Sequence, residues 1–241
     1  MAFRRQGVQT LREDDMDPIA HLALATAAFL VTHFVSSTPL RPTLVARFGE
    51  QGYLGTYTLV SLVTLGWMIF AYLRAPSVPL WQVPGLKLWP LFVMPFATVL
   101  LACAILSRNP SAVRQESALR ADEPARGILR ITRHPMMWAV ALWALVHLLA
   151  RGDAASLVFF GGFLLLALTG TALIDARKAD ALGEDWRRFA EATSNVPFWA
   201  IIEGRNRLRI GEIGWAKIAA GIALYAVLLA SHAWLFGSEP Y

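Results

Sequence analysis

Six stretches of this chain are too long and too apolar to be surface helices of a water-soluble domain. They cover roughly 18–35, 57–73, 86–106, 134–150, 155–174 and 213–236. Crossing the hydrocarbon of a bilayer takes about 20 mostly apolar residues as a helix. A spanning element must also satisfy its own backbone polar groups, which leaves helices and closed barrels. Barrel strands alternate apolar and polar over about 10 residues, whereas Leu157 to Leu168 has no polar side chain. The sequence therefore predicts an all-α fold, a polytopic membrane bundle of about six transmembrane helices. Residues 1–17 read as a polar N-terminal tail, 18–236 as one transmembrane domain and 237–241 as a C-terminal tail. The first 17 residues mix Arg4 and Arg5 with Glu13, Asp14, Asp15 and Asp17. That is a poor signal-peptide n-region, so the first span is expected in the mature protein.

Composition agrees. Hydrophobic residues make up 56% and charged residues 16% of the 241, against about 45–50% and about 25% in soluble domains. This excludes a disordered chain and an ordinary cytosolic enzyme. The net charge of +5 is no pointer to nucleic acid, because membrane proteins concentrate arginine in cytoplasmic loops. Of the 22 Lys and Arg residues, fifteen fall in the loops after the first, third and fifth spans, and six on the opposite side. The side with fifteen is expected to be cytoplasmic. Within the third of these loops Leu182, Trp186 and Phe189 recur at helical spacing among charges, the pattern of an amphipathic helix lying at the cytoplasmic interface. The segment Phe198 to Ile202 is expected to dip into that interface. The lone Cys103 excludes an intrachain disulfide, a CxxC pair and a thiolate zinc site.

All five histidines, His21, His33, His134, His147 and His232, lie in or at the edge of a span. Polar groups are costly in lipid and usually face a partner or cofactor. Imidazole suits iron, copper and zinc, and no Asp or Glu lies mid-span. Neutral imidazoles on different helices among Leu, Phe and Trp suit a b-type haem. His134 and His147 are 13 residues apart, about 20 Å along a helix, and His21 and His33 about 18 Å. Neither pair can share one iron, so any ligand pair joins two spans. With alternating spans, His33 and His147 differ in depth by roughly 13–15 Å. Depth alone makes His147 with His21 or His232, or His33 with His134, the easier pairs. At the start of the fourth span, Arg130 and Arg133 flank Thr132 and precede His134-Pro135. A proline in the first helical turn loses no hydrogen bond. Rim arginines there, and Arg41 beyond the first span, are suited to an anionic head such as a haem propionate. Gly161, Gly162 and Gly170 suggest close helix packing.

Three groups of segments resemble the NnrU family of bacterial inner-membrane proteins. They are Thr32 to Arg41; Ile131 to Met136 with Trp143 and His147; and Gly183 to Trp186 with Thr193-Ser194, Pro197-Phe198, Ala200-Ile201 and Glu203 to Arg205. The same pattern is similar to that of the plant zeta-carotene isomerases, membrane b-haem proteins. The resemblance implies one haem iron held by His33 and His147, with Arg41, Arg130 and Arg133 among the cofactor-binding residues. His134 is then a catalytic residue that orients the haem or its pocket. It implies a multi-pass protein of the bacterial inner membrane whose ligand is an apolar polyene or NO. The activity implied is cis–trans isomerisation of a carotenoid, or support of nitrite and nitric oxide reduction or of reductase assembly. The isomerases carry a cysteine three residues before the second ligand; this chain has Ala144. The rival reading is a membrane methyltransferase using S-adenosylmethionine, on the likeness of Arg133-His134-Pro135 and Gly183 to Trp186 to isoprenylcysteine methyltransferases. The glutamate expected before the second stretch is missing, with Asp175 and Asp180 as imperfect substitutes.

Overall fold

A computed structural model describes residues 16–38 and 40–238; expectations for residues 1–15, Pro39 and 239–241 lie outside these. The elements in order are α1 (Pro18–Val35), α2 (Leu40–Arg74), α3 (Trp89–Leu106), α4 (Pro135–Arg151), α5 (Ala154–Leu182), α6 (Glu184–Ala192), α7 (Trp199–Ile202), α8 (Ile210–Ile213) and α9 (Trp215–Phe236). Among the described residues there is no strand, only one isolated bridge between Pro79 and Asp153. The fold is an all-α helical bundle.

Five segments are long and apolar enough to cross a membrane: Pro18–Val35, Leu40–Arg74, Leu86–Leu106, Ala154–Leu182 and Trp215–Phe236. The fourth expected span is α4, with 17 residues, about 26 Å of helix. It packs between α3 and α5, and its buried Ala139, Ala141 and Ala144 let both neighbours approach closely. Two helices outrun the apolar stretches. α2 begins at Leu40 and bends at Gly49, where φ is 70° and ψ 163°. α5 continues past its apolar stretch and carries Asp175, Arg177 and Lys178 out to the loops.

The ends of the helices follow local chemistry. Asp17 caps α1, its carboxylate accepting from Ala20 N at 2.9 Å, with Pro18 in the first turn. Gly152 and Asp153 alone connect α4 to α5, which makes them antiparallel. Gly152 has φ 63°, and a Cβ there would stand 2.3 Å from Trp81 O. The N–H groups of Leu80 and Trp81 donate to Gly152 O at 2.8 and 3.1 Å. Asp153 then caps α5 through Ser156 N at 2.8 Å.

Two cores form. One joins α1, α2, α4 and α5 through Leu22, Ala25, Phe29, Met68, Ala144, Phe159 and Phe160. The other closes the opposite end with Leu100, Cys103, Ile128, Leu129, Trp186, Phe189 and Ile213. Here the structure departs from expectation. The amphipathic helix exists as α6, but Trp186 and Phe189 are 2% and 1% exposed and pack against α3, α4 and the 125–129 turn. Its apolar face meets protein rather than lipid. The reason is that the long loops fold back over the bundle end, leaving apolar side chains of α3 and α4 to be covered. Exposed apolar residues at this end include Phe198, Trp199 and Ile202.

Gly162 is a close-packing site, where a Cβ would meet Thr26 Cγ2 at 2.5 Å. Gly161 and Gly170 meet neighbours only at ordinary contact distance, 3.9 and 3.5 Å. Gly221, not singled out from the sequence, seats α9 on α3: a Cβ there would stand 2.5 Å from Val99 Cα.

Candidate functional site

The loops after the first, third and fifth spans meet at one end of the bundle. Arg177 on α5 donates to Ser36 O at 3.3 Å, Lys178 to Glu116 at 2.6 Å, and Arg133 to Asp175 at 2.5 Å. The basic loops thus share one end of the bundle.

This end is built on paired charges. Asp175 binds Arg133 through both its oxygens and accepts from His134 Nε2 at 2.7 Å. Residues 131–134 are pinned to 193–198: Arg133 N donates to Ser194 O at 3.0 Å and Phe198 N to Ile131 O at 2.8 Å. Thr132 Oγ1 and Trp138 Nε1 both donate to Asn195 O, at 2.6 and 2.8 Å. Arg130, 4% exposed, bonds Glu212 at 2.8 Å, Glu123 at 2.5 Å and Asn206 at 2.6 Å. The Arg130 guanidinium holds the Glu212 carboxyl down to about 2. Burial pushes Glu116 upward, but its bond to Lys178 outweighs that and leaves it below the usual carboxylate range. Arg130 and Arg133, expected to offer donors to an anionic head, spend them on Glu212, Glu123, Asn206 and Asp175. A shallow groove of ≈ 480 Å³ opens here, lined in part by Arg133, Thr193, Asn195, Trp199 and Arg205. None of the histidines lines it.

The remaining histidines are embedded and differ in what their ring nitrogens meet. His33 Nδ1 lies 2.8 Å from Phe29 O, and His147 Nδ1 lies 2.8 Å from Trp143 O. A carbonyl only accepts, so Nδ1 carries the hydrogen in both and Nε2 keeps its lone pair. Neither Nε2 has a hydrogen-bond partner among the described residues. This is how a metal-ligating imidazole is oriented by its outer shell. His21 is different: its Nε2 accepts from Trp67 Nε1 at 2.8 Å, so that lone pair is used. His232 Nδ1 donates to Ser238 O at 2.8 Å, and its ring packs against Phe236 at 4.9 Å.

His33 and His147 do not touch. A chain of ring contacts runs between them: His33 to Phe29 at 4.2 Å, Phe29 to Phe163 at 5.3 Å, Phe163 to Trp143 at 5.2 Å and Trp143 to His147 at 5.8 Å. His147 also stacks on Phe160 at 5.4 Å. His33 is one turn beyond Phe29, and Phe160 one turn before Phe163. The two imidazoles are therefore about 10 Å apart in depth, less than the loop boundaries suggested. Among the described residues no three His, Cys, Asp or Glu side chains gather to hold a bare metal ion. Two imidazoles with free Nε2 atoms on separate helices have the donor chemistry that a b-type haem takes.

With this geometry in view, the profile of the NnrU protein family matches residues 21–240. The chain belongs to the NnrU family. This NnrU chain is 29% identical over 199 residues to the chloroplastic 15-cis-zeta-carotene isomerase of Zea mays, covering 78% of the chain and 52% of the isomerase. It is 40% identical over 82 residues to the chloroplastic 15-cis-zeta-carotene isomerase of Arabidopsis thaliana, covering 34% of the chain and 22% of the isomerase. It thus spans about half the length of the first relative and less of the second. No solved structure matches it.

Sequence reasoning missed the partner that makes sense of the Arg133-His134 motif. Asp175 ends an apolar run and is followed three residues on by Lys178, which reads as a loop beginning. Only the continuation of α5 brings its carboxylate to the start of α4. Offered above as a substitute for a methyltransferase glutamate, Asp175 is spent on Arg133 and His134.

Proposed function

We propose that this protein is a multi-pass protein of a bacterial inner membrane. It holds one b-type haem through His33 and His147 and isomerises a cis double bond of a carotenoid-like polyene. The observation that carries this reading is the pair of Nδ1-anchored imidazoles with unpartnered Nε2 atoms. The similarity to two isomerases supports the substrate class. A b-type haem supplies an iron whose coordination position can open on reduction for an unsaturated or diatomic ligand. The chain's own residues prepare the surroundings. Phe29, Trp143, Phe160 and Phe163 form a continuous chain of aromatic contacts between the two histidines, an apolar surrounding compatible with a polyene. Ala144, fully buried three residues before His147, offers no thiol, and Cys103 belongs to the other core; a cysteine cannot replace His147. His134 acts through α4: tied to Asp175, it fixes the start of the helix that carries His147, and is a positioning residue rather than a ligand.

The test is anaerobic incubation of the purified full chain, oxidised or dithionite-reduced, with a cis carotenoid, followed by chromatography of the isomers. Conversion is expected only in the reduced state and blocked by CO. Equal conversion in both states, or none in either, would overturn the reaction.

A further inference from the structure

Next to His33 lies a group of side chains that the proposed function leaves unused. Tyr57 meets the His33 ring at 5.7 Å and Tyr53 at 6.1 Å. The Arg41 guanidinium stands 5.5 Å from the Tyr53 ring centre and pairs with Glu50 at 2.9 Å. From α5, Arg177 reaches the end of α1 and donates to Ser36 O at 3.3 Å, while Ser36 Oγ donates to His33 O at 2.8 Å. Two features of this group are unsatisfied. The Tyr53 hydroxyl is enclosed in a residue only 6% exposed and has no hydrogen-bond partner. Arg177 makes no ion pair among the described residues, in contrast to Arg133 and Lys178.

A guanidinium carries five donors, and a half-buried one without a carboxylate is costly. Arg41 and Arg177 also repel one another. An acceptor-rich anion beside them would take up the donors that Arg177 leaves unpaired and give the Tyr53 hydroxyl a partner, with charge-assisted bonds about twice as strong as neutral ones. The group lies at the rim of the bundle, where His33 begins the aromatic path inward. Its ligand is then amphiphilic, head at the rim and body in the apolar interior.

We propose that Arg41, Tyr53 and Arg177 form an anion cradle that holds the carboxylate or phosphate head of such an amphiphile beside His33. Two molecules carry this chemistry: haem, through its propionates, and an anionic phospholipid. Only the first rests on the haem reading above.

The experiment uses the full chain in detergent, as wild type, Arg177→Gln, Arg177→Lys and Tyr53→Phe. In one arm each is titrated with haemin and with haemin dimethyl ester, whose propionates are blocked, and the Soret band is followed. In the other, native mass spectrometry compares retention of phosphatidylglycerol and phosphatidylcholine. Wild type is expected to prefer haemin to its ester by about 10-fold or more, one hydrogen bond to a charged group. Arg177→Gln loses the preference, Arg177→Lys keeps most of it and Tyr53→Phe reduces it. If the preference is instead for phosphatidylglycerol and is lost in Arg177→Gln, the cradle stands with lipid as its ligand. Failure of wild type to take up haemin sinks the haem reading, while the lipid arm still decides the cradle. Should Arg177→Gln not fold, Arg177→Lys and Tyr53→Phe carry the comparison. No head-group preference in either arm, or one that all variants share equally, would overturn the proposal.

Discussion

The two ends of α4 treat their histidines in opposite ways. At its start His134 is 2% exposed, and its Nε2 is spent on Asp175, which also holds Arg133. Near its end His147 has only its Nδ1 engaged, by Trp143 O, and sits among Trp143 and Phe160. The first region is polar and paired: Arg130, Arg133 and His134 meet Glu123, Glu212 and Asp175, and these pairs tie the loops to the bundle. The second is apolar with a lone pair left over, and it recurs at His33. A histidine whose partners are all protein is accounted for by structure. One with an idle nitrogen in an apolar site calls for a ligand.

The sharpest way to break this comparison is to unpair the paired end. Asp175→Ala leaves Arg133 and His134 buried without a carboxylate, and the loss of a buried partner costs about 3–5 kcal/mol. Thermal unfolding of the haem-free full chain in detergent should show a far larger drop for Asp175→Ala than for His147→Ala, which removes an imidazole whose Nε2 hydrogen-bonds no protein group among the described residues. Equal drops would mean that the second region is as structural as the first. Replacing both charges, as Arg133→Met with Asp175→Leu, should recover much of the loss.

A smaller effect is expected where the helices bearing the aromatic path touch. Gly162→Val forces a side chain into Thr26, at a cost of about 1–3 kcal/mol, and should lower the unfolding temperature. Gly161→Ala, in ordinary contact only, should leave it unchanged. If the two behave alike, the α1–α5 contact is looser than described.

The smallest effect is a pH dependence of the paired end. Glu212 in the folded protein titrates at about 2 rather than at 4.5. Its carboxylate therefore adds stability that is complete above about 4.5 and fades as the pH falls toward 2. Between pH 6 and pH 3 the unfolding temperature of wild type should fall more than that of Glu212→Gln. Parallel slopes would mean that Glu212 is not held by Arg130.

Much of this division was legible in the sequence, and the rest was hidden for definable reasons. Apolar length located the helices, and the charge count located the loops that gather at one end. His33 and His147 were legible as embedded and as family-like, but not as different from His21, because only Trp67, 46 positions away in the chain, uses up the His21 lone pair. The end of α5 was misplaced at Asp175 because hydropathy marks where the membrane stops, not where the helix does. That hid the partner of His134. The lipid-facing role expected of α6 failed for a related reason. An amphipathic pattern says that one face is buried, not what buries it, and here the cover is needed by Cys103, Ile128 and Leu129. Of the Arg41–Tyr53–Arg177 group only Arg41 was legible, as a rim arginine; nothing in the sequence marks Tyr53 or Arg177 as its neighbours.

The central claim is that the idle nitrogens of His33 and His147 are iron ligands. It is tested most directly by the visible spectrum and pyridine haemochrome of the purified full chain beside His33→Ala, His147→Ala, His232→Ala and His134→Ala. A low-spin b-type spectrum is predicted for wild type, His232→Ala and His134→Ala, with haem lost or converted to high spin in His33→Ala and His147→Ala. Unchanged low-spin haem in both His33→Ala and His147→Ala, or its loss in His147→Ala and His232→Ala alone, would contradict the assignment.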